Sequence, residues 1–330
     1  MIISKTPLRI SFVGGGTDLP SFYKKKDYGA VLNTTIDKYV YVIIKERFDD
    51  FIYINWTKKE IVKTPDDIEH DLVRETMKKA GIKKGVEITT LADIPSEGSG
   101  LGSSSSLTVG LLNAFYAFKG ILVSAEKLAR EACEIEIDII GKPIGKQDQY
   151  AASFGGINEI LFFKDESVKV NKIEFPNDKL RVLGSNLLLF YTGTTRKANN
   201  ILRKQKERTD IILKILVEMR NQVCVLKKHF ENGENDILGQ LLKKGWAMKK
   251  SLLSTITNYQ INEMYERALK MGATGGKICG AGGGGFLLLY VPREKQNSVR
   301  EALKKYRELP FMIEKYGSRI VFNQMSDYWR

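Results

Sequence analysis

Three glycines alternate at Gly98, Gly100 and Gly102, and Ser103, Ser104, Ser105 and Ser106 come directly after them, so that Ile94–Ser106 reads IPSEGSGLGSSSS. Glycine opens backbone conformations closed to other residues, which lets main-chain N–H groups come close to a guest. Serine starts helices well, and behind these four Leu107, Leu111, Ala114, Phe115 and Phe118 recur at helical spacing. The stretch therefore empties into a helix N-terminus, where unpaired N–H groups and the positive end of the dipole favour an anion. The expected guest is a phosphate chain. A Gly/Ser linker has similar composition, but this segment is short, carries Pro95 at its head and runs unbroken into an apolar-periodic helix. Gly-x-x-x-x-Gly-Lys-Ser/Thr occurs nowhere, and Ser103 stands where a dinucleotide fingerprint needs its last glycine.

Two acids carry further chemistry. Ser124–Ile140 reads as a helix whose apolar stripe holds Ala125, Ala129, Ala132, Cys133, Ile139 and Ile140, and Glu136 falls inside that stripe. A carboxylate on a buried face must find a cation or hydrogen-bond donors. Asp148, in Lys146-Gln147-Asp148-Gln149-Tyr150, is either a turn or cap aspartate or a base able to take a proton from a hydroxyl. Thr194, Arg196 and Lys197 stand where a strand ends and a helix starts, which suits a ligand phosphate, although an ordinary basic helix start has the same look.

Composition bounds the partners. The chain has 330 residues, 43% apolar and 28% charged, enough for two lobes or one large α/β domain with a substantial core. No apolar run has membrane-spanning length and the N-terminal text lacks signal-peptide architecture, so a cytoplasmic protein without a membrane partner is expected. Cys133, Cys224 and Cys279 show no metal-ligand spacing and are expected as reduced, buried thiols. The net charge of +13 raises the question of nucleic acid, yet no nucleic-acid motif is present. Lysines spread over stretches such as Lys204–Arg208 and Lys243–Lys250, so the reading is a solvated basic surface suited to small anions. His70 and His229 are the only histidines and lie in charged segments expected at the surface, which argues against imidazole chemistry.

The elements that must position these groups alternate in type. Strands are predicted over Ile2–Val13, with Pro7 marking an edge or bulge, and over Tyr39–Lys45, Phe51–Asn55, Val86–Leu91, Ile157–Phe163, Val168–Ile173, Leu187–Thr192 and Phe286–Val291. Helices are predicted over Ile68–Ala80, Lys197–Phe230, Asp236–Leu253, Asn258–Met271 and Arg293–Tyr306, with closing strands near Phe311–Glu314 and Arg319–Phe322. The first strand ends in Gly14-Gly15-Gly16-Thr17-Asp18, a polar glycine-opened turn. A third cluster, GGKICGAGGGG over Gly275–Gly285, precedes a strand, the wrong context for a nicotinamide site. It suits close approach of two backbones, or of a loop to phosphates, or a tight structural hairpin.

PLRISFVGGGTD, PSEGSGLGSSSS and KICGAGGGG, in that order, resemble the three motifs of the GHMP kinases, the superfamily of galactokinase, homoserine kinase and mevalonate kinase. YTGTTRKANN and KQDQYAASFGG are most similar to the heptose 7-phosphate kinase branch and, at more distance, to fucokinases. The resemblance implies an α+β GHMP kinase fold. A ribosomal-S5-like N-terminal domain would cover residues 1–185 and a ferredoxin-like C-terminal domain residues 186–330, with ATP and Mg²⁺ between them. It implies that Gly98, Ser99, Gly100, Leu101, Gly102, Ser103, Ser104 and Ser105 wrap the triphosphate, and that Ser104 and Glu136 hold the metal. Asp148 matches the aspartate taken as base and Arg9 the arginine near the reacting groups. Thr17 and Asp18 match sugar-hydroxyl contacts, while Gly15 and Gly16 stand where galactokinase has Glu-His, which disfavours galactose. Thr194, Arg196, Gly282 and Gly283 complete the implied substrate site. The implied reaction is transfer of the γ-phosphoryl of ATP to the anomeric hydroxyl of D-glycero-D-manno-heptose 7-phosphate, with a free-sugar kinase or a non-catalytic sugar and ATP sensor as alternatives. Oligomeric state stays open, a homodimer included.

Overall fold

A computed structural model describes residues 1–94, 98–194 and 210–324. In chain order the elements are β1 (Ile2–Val13), α1 (Pro20–Tyr23), β2 (Tyr28–Glu46), β3 (Ile52–Asn55), β4 (Lys59–Val62), α2 (Asp71–Ala80), β5 (Val86–Ala92), α3 (Ser103–Phe118) and α4 (Ala125–Cys133). They continue with α5 (Gln147–Phe154), β6 (Ile157–Phe163), β7 (Val168–Lys172), α6 (Asn177–Ser185), β8 (Leu187–Tyr191), α7 (Asp210–Glu231), α8 (Ile237–Leu252), α9 (Tyr259–Lys270), β9 (Gly275–Ile278), β10 (Phe286–Tyr290), α10 (Gln296–Ala302), β11 (Ile313–Glu314) and β12 (Arg319–Asn323). The start of the helix expected from Lys197 lies outside the described residues.

Two sheets organise the chain. The larger runs β12-β1-β2-β5-β3-β4, with β6 and β11 also on β2 and β7 on β6, and the smaller runs β8-β10-β9. Strand β2 is the hinge of the large sheet because it pairs with β6 from Tyr28 to Thr34 and with β5 from Val40 to Glu46. Its first half, with Asn33, Thr34 and Thr35, carries polar text that does not read as strand. Those residues are nonetheless fully buried, so pairing on both edges, and not side-chain pattern, decides the conformation. Pro7 sits in β1 where the register against β2 slips between Pro7 and Leu8, the bulge its missing N–H requires. Helix α3 lies on β1 and β2. Gly110 permits this approach: a Cβ there would lie 2.9 Å from Thr6 Oγ1, and Ser4 Oγ donates to Gly110 O at 2.8 Å.

The core spans both sheets, joining Leu8, Ile10 and Val42 of the first to Leu189 and Leu288 of the second. Strands β11 and β12, late in the chain, return to pair with β2 and β1 of the large sheet. Three surface expectations are corrected. Cys133 and Cys279 are buried but Cys224 is exposed, because α7 turns it away from the core. Lys249 is buried beneath the third glycine cluster instead of solvated. The His70 ring packs edge-on against Trp56 with centroids 4.7 Å apart, and burial pushes its pKa down.

Candidate active site

Gly98, Gly100 and Gly102 take φ of 69°, 75° and 78°, so the alternation seen in the sequence is a series of left-handed turns. Gly102 precedes the first turn of α3, and the first intrahelical bond is Ser106 N–H to Gly102 O at 2.9 Å. The amides of Ser103, Ser104 and Ser105 therefore stand at the N-terminal end of a 16-residue helix, before its hydrogen-bond ladder begins. Ser99 Oγ lies 3.1 Å from Ser103 Oγ and accepts from Leu101 N–H at 3.3 Å, which braces the loop from within. Leu101 is fully buried and anchors it below.

Strand β1 delivers Arg9 to the same place. Its N–H donates to Leu101 O at 2.9 Å and its Nη1 to Gly100 O at 2.6 Å. The remaining donors form a fork on Asp148 at the start of α5, Nε to Oδ1 at 2.7 Å and Nη2 to Oδ2 at 2.6 Å. Burial opposes the guanidinium charge, but the charge and hydrogen bonds of Asp148 leave the Arg9 pKa above its ordinary value. A Cβ on Gly102 would lie 3.1 Å from Arg9 Cγ and 3.5 Å from Asp148 Oδ2, so the pair borders the loop itself. Asp18, from the turn after β1, is also buried. Its Oδ1 accepts from Gly16 N–H at 3.0 Å, while burial first and the charge of Asp148 second push its carboxyl up.

Glu136 faces inward for a reason the periodicity only half contained. After Cys133 the helix widens into a π-helical turn, Glu134–Ile139, with Ile140 N–H reaching Ile135 O at 3.0 Å. The carboxylate is 0% exposed and is met on every side. Oε1 accepts from Ser104 Oγ at 2.6 Å and from Lys142 Nζ at 3.2 Å. Oε2 accepts from Ser105 Oγ at 2.6 Å and Gln149 Nε2 at 2.7 Å. Thus Ser105 turns its hydroxyl to a buried acid and Ser104 bridges that acid to the mouth of the helix.

The third glycine cluster closes the site from the small sheet. A Cβ on Gly280 would lie 2.6 Å from Gly100 Cα, and one on Gly285 would lie 2.5 Å from Ser99 O. Two of its amides are engaged: Gly283 N–H donates to Ile256 O at 2.7 Å and Gly285 N–H to Thr194 O at 2.8 Å. Lys277 Nζ crosses back to the large sheet, donating to Ser11 O at 2.8 Å and Phe12 O at 3.1 Å.

Two of these loops, Gly98–Ser105 and Gly280–Gly285, fall inside the ranges of two family models. Residues 66–156 match the GHMP kinases N terminal domain and residues 226–308 match the GHMP kinases C terminal. The chain belongs to the GHMP kinases. It is similar to a D-glycero-alpha-D-manno-heptose 7-phosphate kinase from Campylobacter jejuni, 32% identical over 92% of this chain and 93% of the relative. A galactokinase from Pyrococcus furiosus is 26% identical over 92% of each chain. Among solved structures, a D-glycero-D-manno-heptose 1-phosphate kinase from Bacteroides thetaiotaomicron superposes with a TM-score of 0.81 at 27% identity, covering 98% of this chain and 99% of that one. This GHMP kinase is accordingly an ATP-dependent sugar kinase.

Within this GHMP kinase the sequence-selected residues distribute unevenly. Arg9, Asp148, Asp18, Ser104, Ser105 and Glu136 converge around Gly98–Ser105. Gly15 and Gly16 lie in the turn that carries Asp18, and Thr17 Oγ1 donates to Ala30 O at 2.7 Å, a brace for that turn. Gly282 packs on Ile256, where a Cβ would lie 2.9 Å from its Cγ2. Thr194 is exposed beside Gly284. Arg196 and Pro95 lie outside the described residues. Among the described residues no group of three or more His, Cys, Asp or Glu side chains could hold a metal, and no helix is long and apolar enough to cross a membrane. Sequence reasoning missed Lys142 and Gln149 as partners of Glu136. The only signal was negative: a buried acid demands donors, and both residues sit a short way beyond it in the chain.

Proposed function

We propose that this enzyme transfers the γ-phosphoryl group of ATP to the anomeric hydroxyl of D-glycero-D-manno-heptose 7-phosphate, giving the 1,7-bisphosphate and ADP. The observation that carries the reading is the Arg9–Asp148 fork, set directly against the glycine loop whose helix N-terminus faces the same space. Relatives named for heptose phosphates at both sequence and structure level support the sugar.

In this reading the amides of Gly98–Ser105 bind the triphosphate, helped by the positive end of α3. The donor set of Ser104 Oγ and Glu136 fits a magnesium ion. Both are hard oxygens on adjoining elements, and with the phosphate oxygens they would hold the ion beside the triphosphate. When bound, that ion offsets phosphate charge as it shifts toward the leaving oxygen. Asp148 accepts the proton of the attacking hydroxyl, and Arg9 fixes its carboxylate so that the hydroxyl oxygen stays in line with phosphorus. Arg9 also places fixed positive charge beside the transferred group. Asp18 orients sugar hydroxyls from the turn that buried Thr17 braces, with Gly15 and Gly16 leaving room for a seven-carbon sugar, and Thr194 with Arg196 receives the distal phosphate. Gly282 and Gly283 form a backbone wall on the substrate side. The two domains divide at residues 185/186, with the chain end returning to the first. The enzyme works in the cytoplasm.

The test is ADP release over a panel of phosphorylated and free sugars, heptose 7-phosphate, heptose and L-fucose among them. The reading predicts turnover dependent on the distal phosphate, and a loss in Arg196→Ala confined to the phosphorylated sugar. Equal turnover of free L-fucose would replace it with a free-sugar kinase.

A further inference from the structure

The two oxygens of Glu136 are held differently. Oε2 is tied to neutral donors on packed elements, Ser105 of α3 and Gln149 of α5. Oε1 is shared between Ser104 Oγ and the ammonium of Lys142, and Lys142 Nζ also lies 2.8 Å from Ser104 Oγ. Lys142 thus caps the same pair of oxygens that suits a divalent cation. Its backbone is fixed: Gly141 at φ 75° ends the π-helical turn and Lys142 N–H donates to Glu136 O at 2.9 Å. The long stem above that anchor is free to turn about its own bonds, and the side chain keeps 18% of its surface exposed while the carboxylate has none.

An ammonium and a metal ion cannot use Ser104 Oγ and Glu136 Oε1 together, because both are cations and both need the lone pairs that point between them. We propose that Lys142 is an exchangeable counterion for Glu136: it neutralises the buried carboxylate before nucleotide arrives and yields its place to the divalent cation that enters with ATP. A displaced ammonium alone in the site would be unfavourable, whereas one beside a polyphosphate gains an anionic partner. Metal entry is therefore coupled to nucleotide entry, and a divalent cation by itself competes poorly.

This inference rests on the metal reading of Ser104 and Glu136, and one experiment separates the two. Mn²⁺ serves as the probe, with free ion measured by electron paramagnetic resonance, for wild type, Lys142→Gln, Lys142→Arg and Glu136→Gln, each with and without ATP. Without nucleotide, Lys142→Gln should bind Mn²⁺ at least ~10-fold more tightly than wild type, because no ammonium has to be displaced. Lys142→Arg should stay as weak as wild type. In EDTA, Lys142→Gln should melt roughly 3–6 °C lower than wild type, with Mn²⁺ alone restoring the loss. Lys142→Met, which keeps the stem packing, substitutes if the glutamine variant does not fold. Equal nucleotide-free Mn²⁺ affinity in wild type and the uncharged variant overturns the counterion role, provided that Glu136→Gln loses Mn²⁺ binding in the presence of ATP. If Glu136→Gln binds Mn²⁺ with ATP as tightly as wild type, the metal reading itself fails and the counterion role goes with it.

Discussion

The loop over Gly98–Ser105 and the cluster over Gly280–Gly285 look alike as text, yet they do opposite things. The first opens into a helix whose leading amides stand outside its ladder, and its side chains reach Glu136. In the second, Gly283 and Gly285 give their amides to Ile256 and Thr194, and Gly280 and Gly285 press bare Cα atoms against Gly100 and Ser99 of the first. One run of glycines makes room for a guest; the other makes room for the loop that holds the guest. Glycine content therefore marks a place where backbones come close. The element downstream of each run, a helix in one case and a strand in the other, decides what they approach.

Substitutions in the two loops should separate their roles. The largest effect belongs to the guest side. Asp148→Asn should lower kcat by about 10³-fold while leaving ATP affinity within about threefold, since general-base removal costs turnover and the fork to Arg9 survives in part. Steady-state kinetics with nucleotide binding by calorimetry checks it, and retained turnover would remove Asp148 from the chemistry. On the buttress side, Gly285→Ala forces a side chain onto φ 85° and onto Ser99 O. A loss of about 2–4 kcal/mol in denaturant midpoint stability is expected, with KM for ATP raised and kcat less affected. If that variant folds as wild type does, the two loops do not press on each other.

A pH effect should come from beneath the buttress. Lys249 donates to Gly280 O, and burial first, with the Lys277 charge second, pushes its pKa down to about 7. The unfolded chain then holds more protons than the folded one between about pH 7 and the ordinary lysine range, so this group adds stability as pH rises through that window and is constant below it. Compared with Lys249→Met, wild type should gain about 1–3 kcal/mol between pH 7 and 10, measured by urea titration at each pH. A parallel pair of curves would mean Lys249 does not titrate in the fold. The smallest effect returns to the guest side. Ser105→Ala should cost about 1 kcal/mol in thermal or urea unfolding, because Gln149 still serves Glu136 Oε2, whereas a serine that served only the phosphates would cost no stability in the nucleotide-free protein.

Local text determined a good deal of this molecule. Alternating glycines ahead of serines and an apolar helix specify left-handed turns at a helix mouth, because only glycine takes positive φ without strain and only a helix start leaves amides unpaired. An acid inside an apolar stripe must be buried and must be satisfied, so the inward face of Glu136 was legible from spacing. What spacing could not contain is the identity of the groups that answer it. Arg9 meets Asp148 across 139 positions of sequence, the first half of β2 is strand because β1 and β6 pair with it on both edges, and Lys142 reaches Ser104 from just beyond a π-helical turn. Those are long-range choices made by packing, where the energy of a pair depends on which distant elements are brought together and leaves no period or motif in either segment alone.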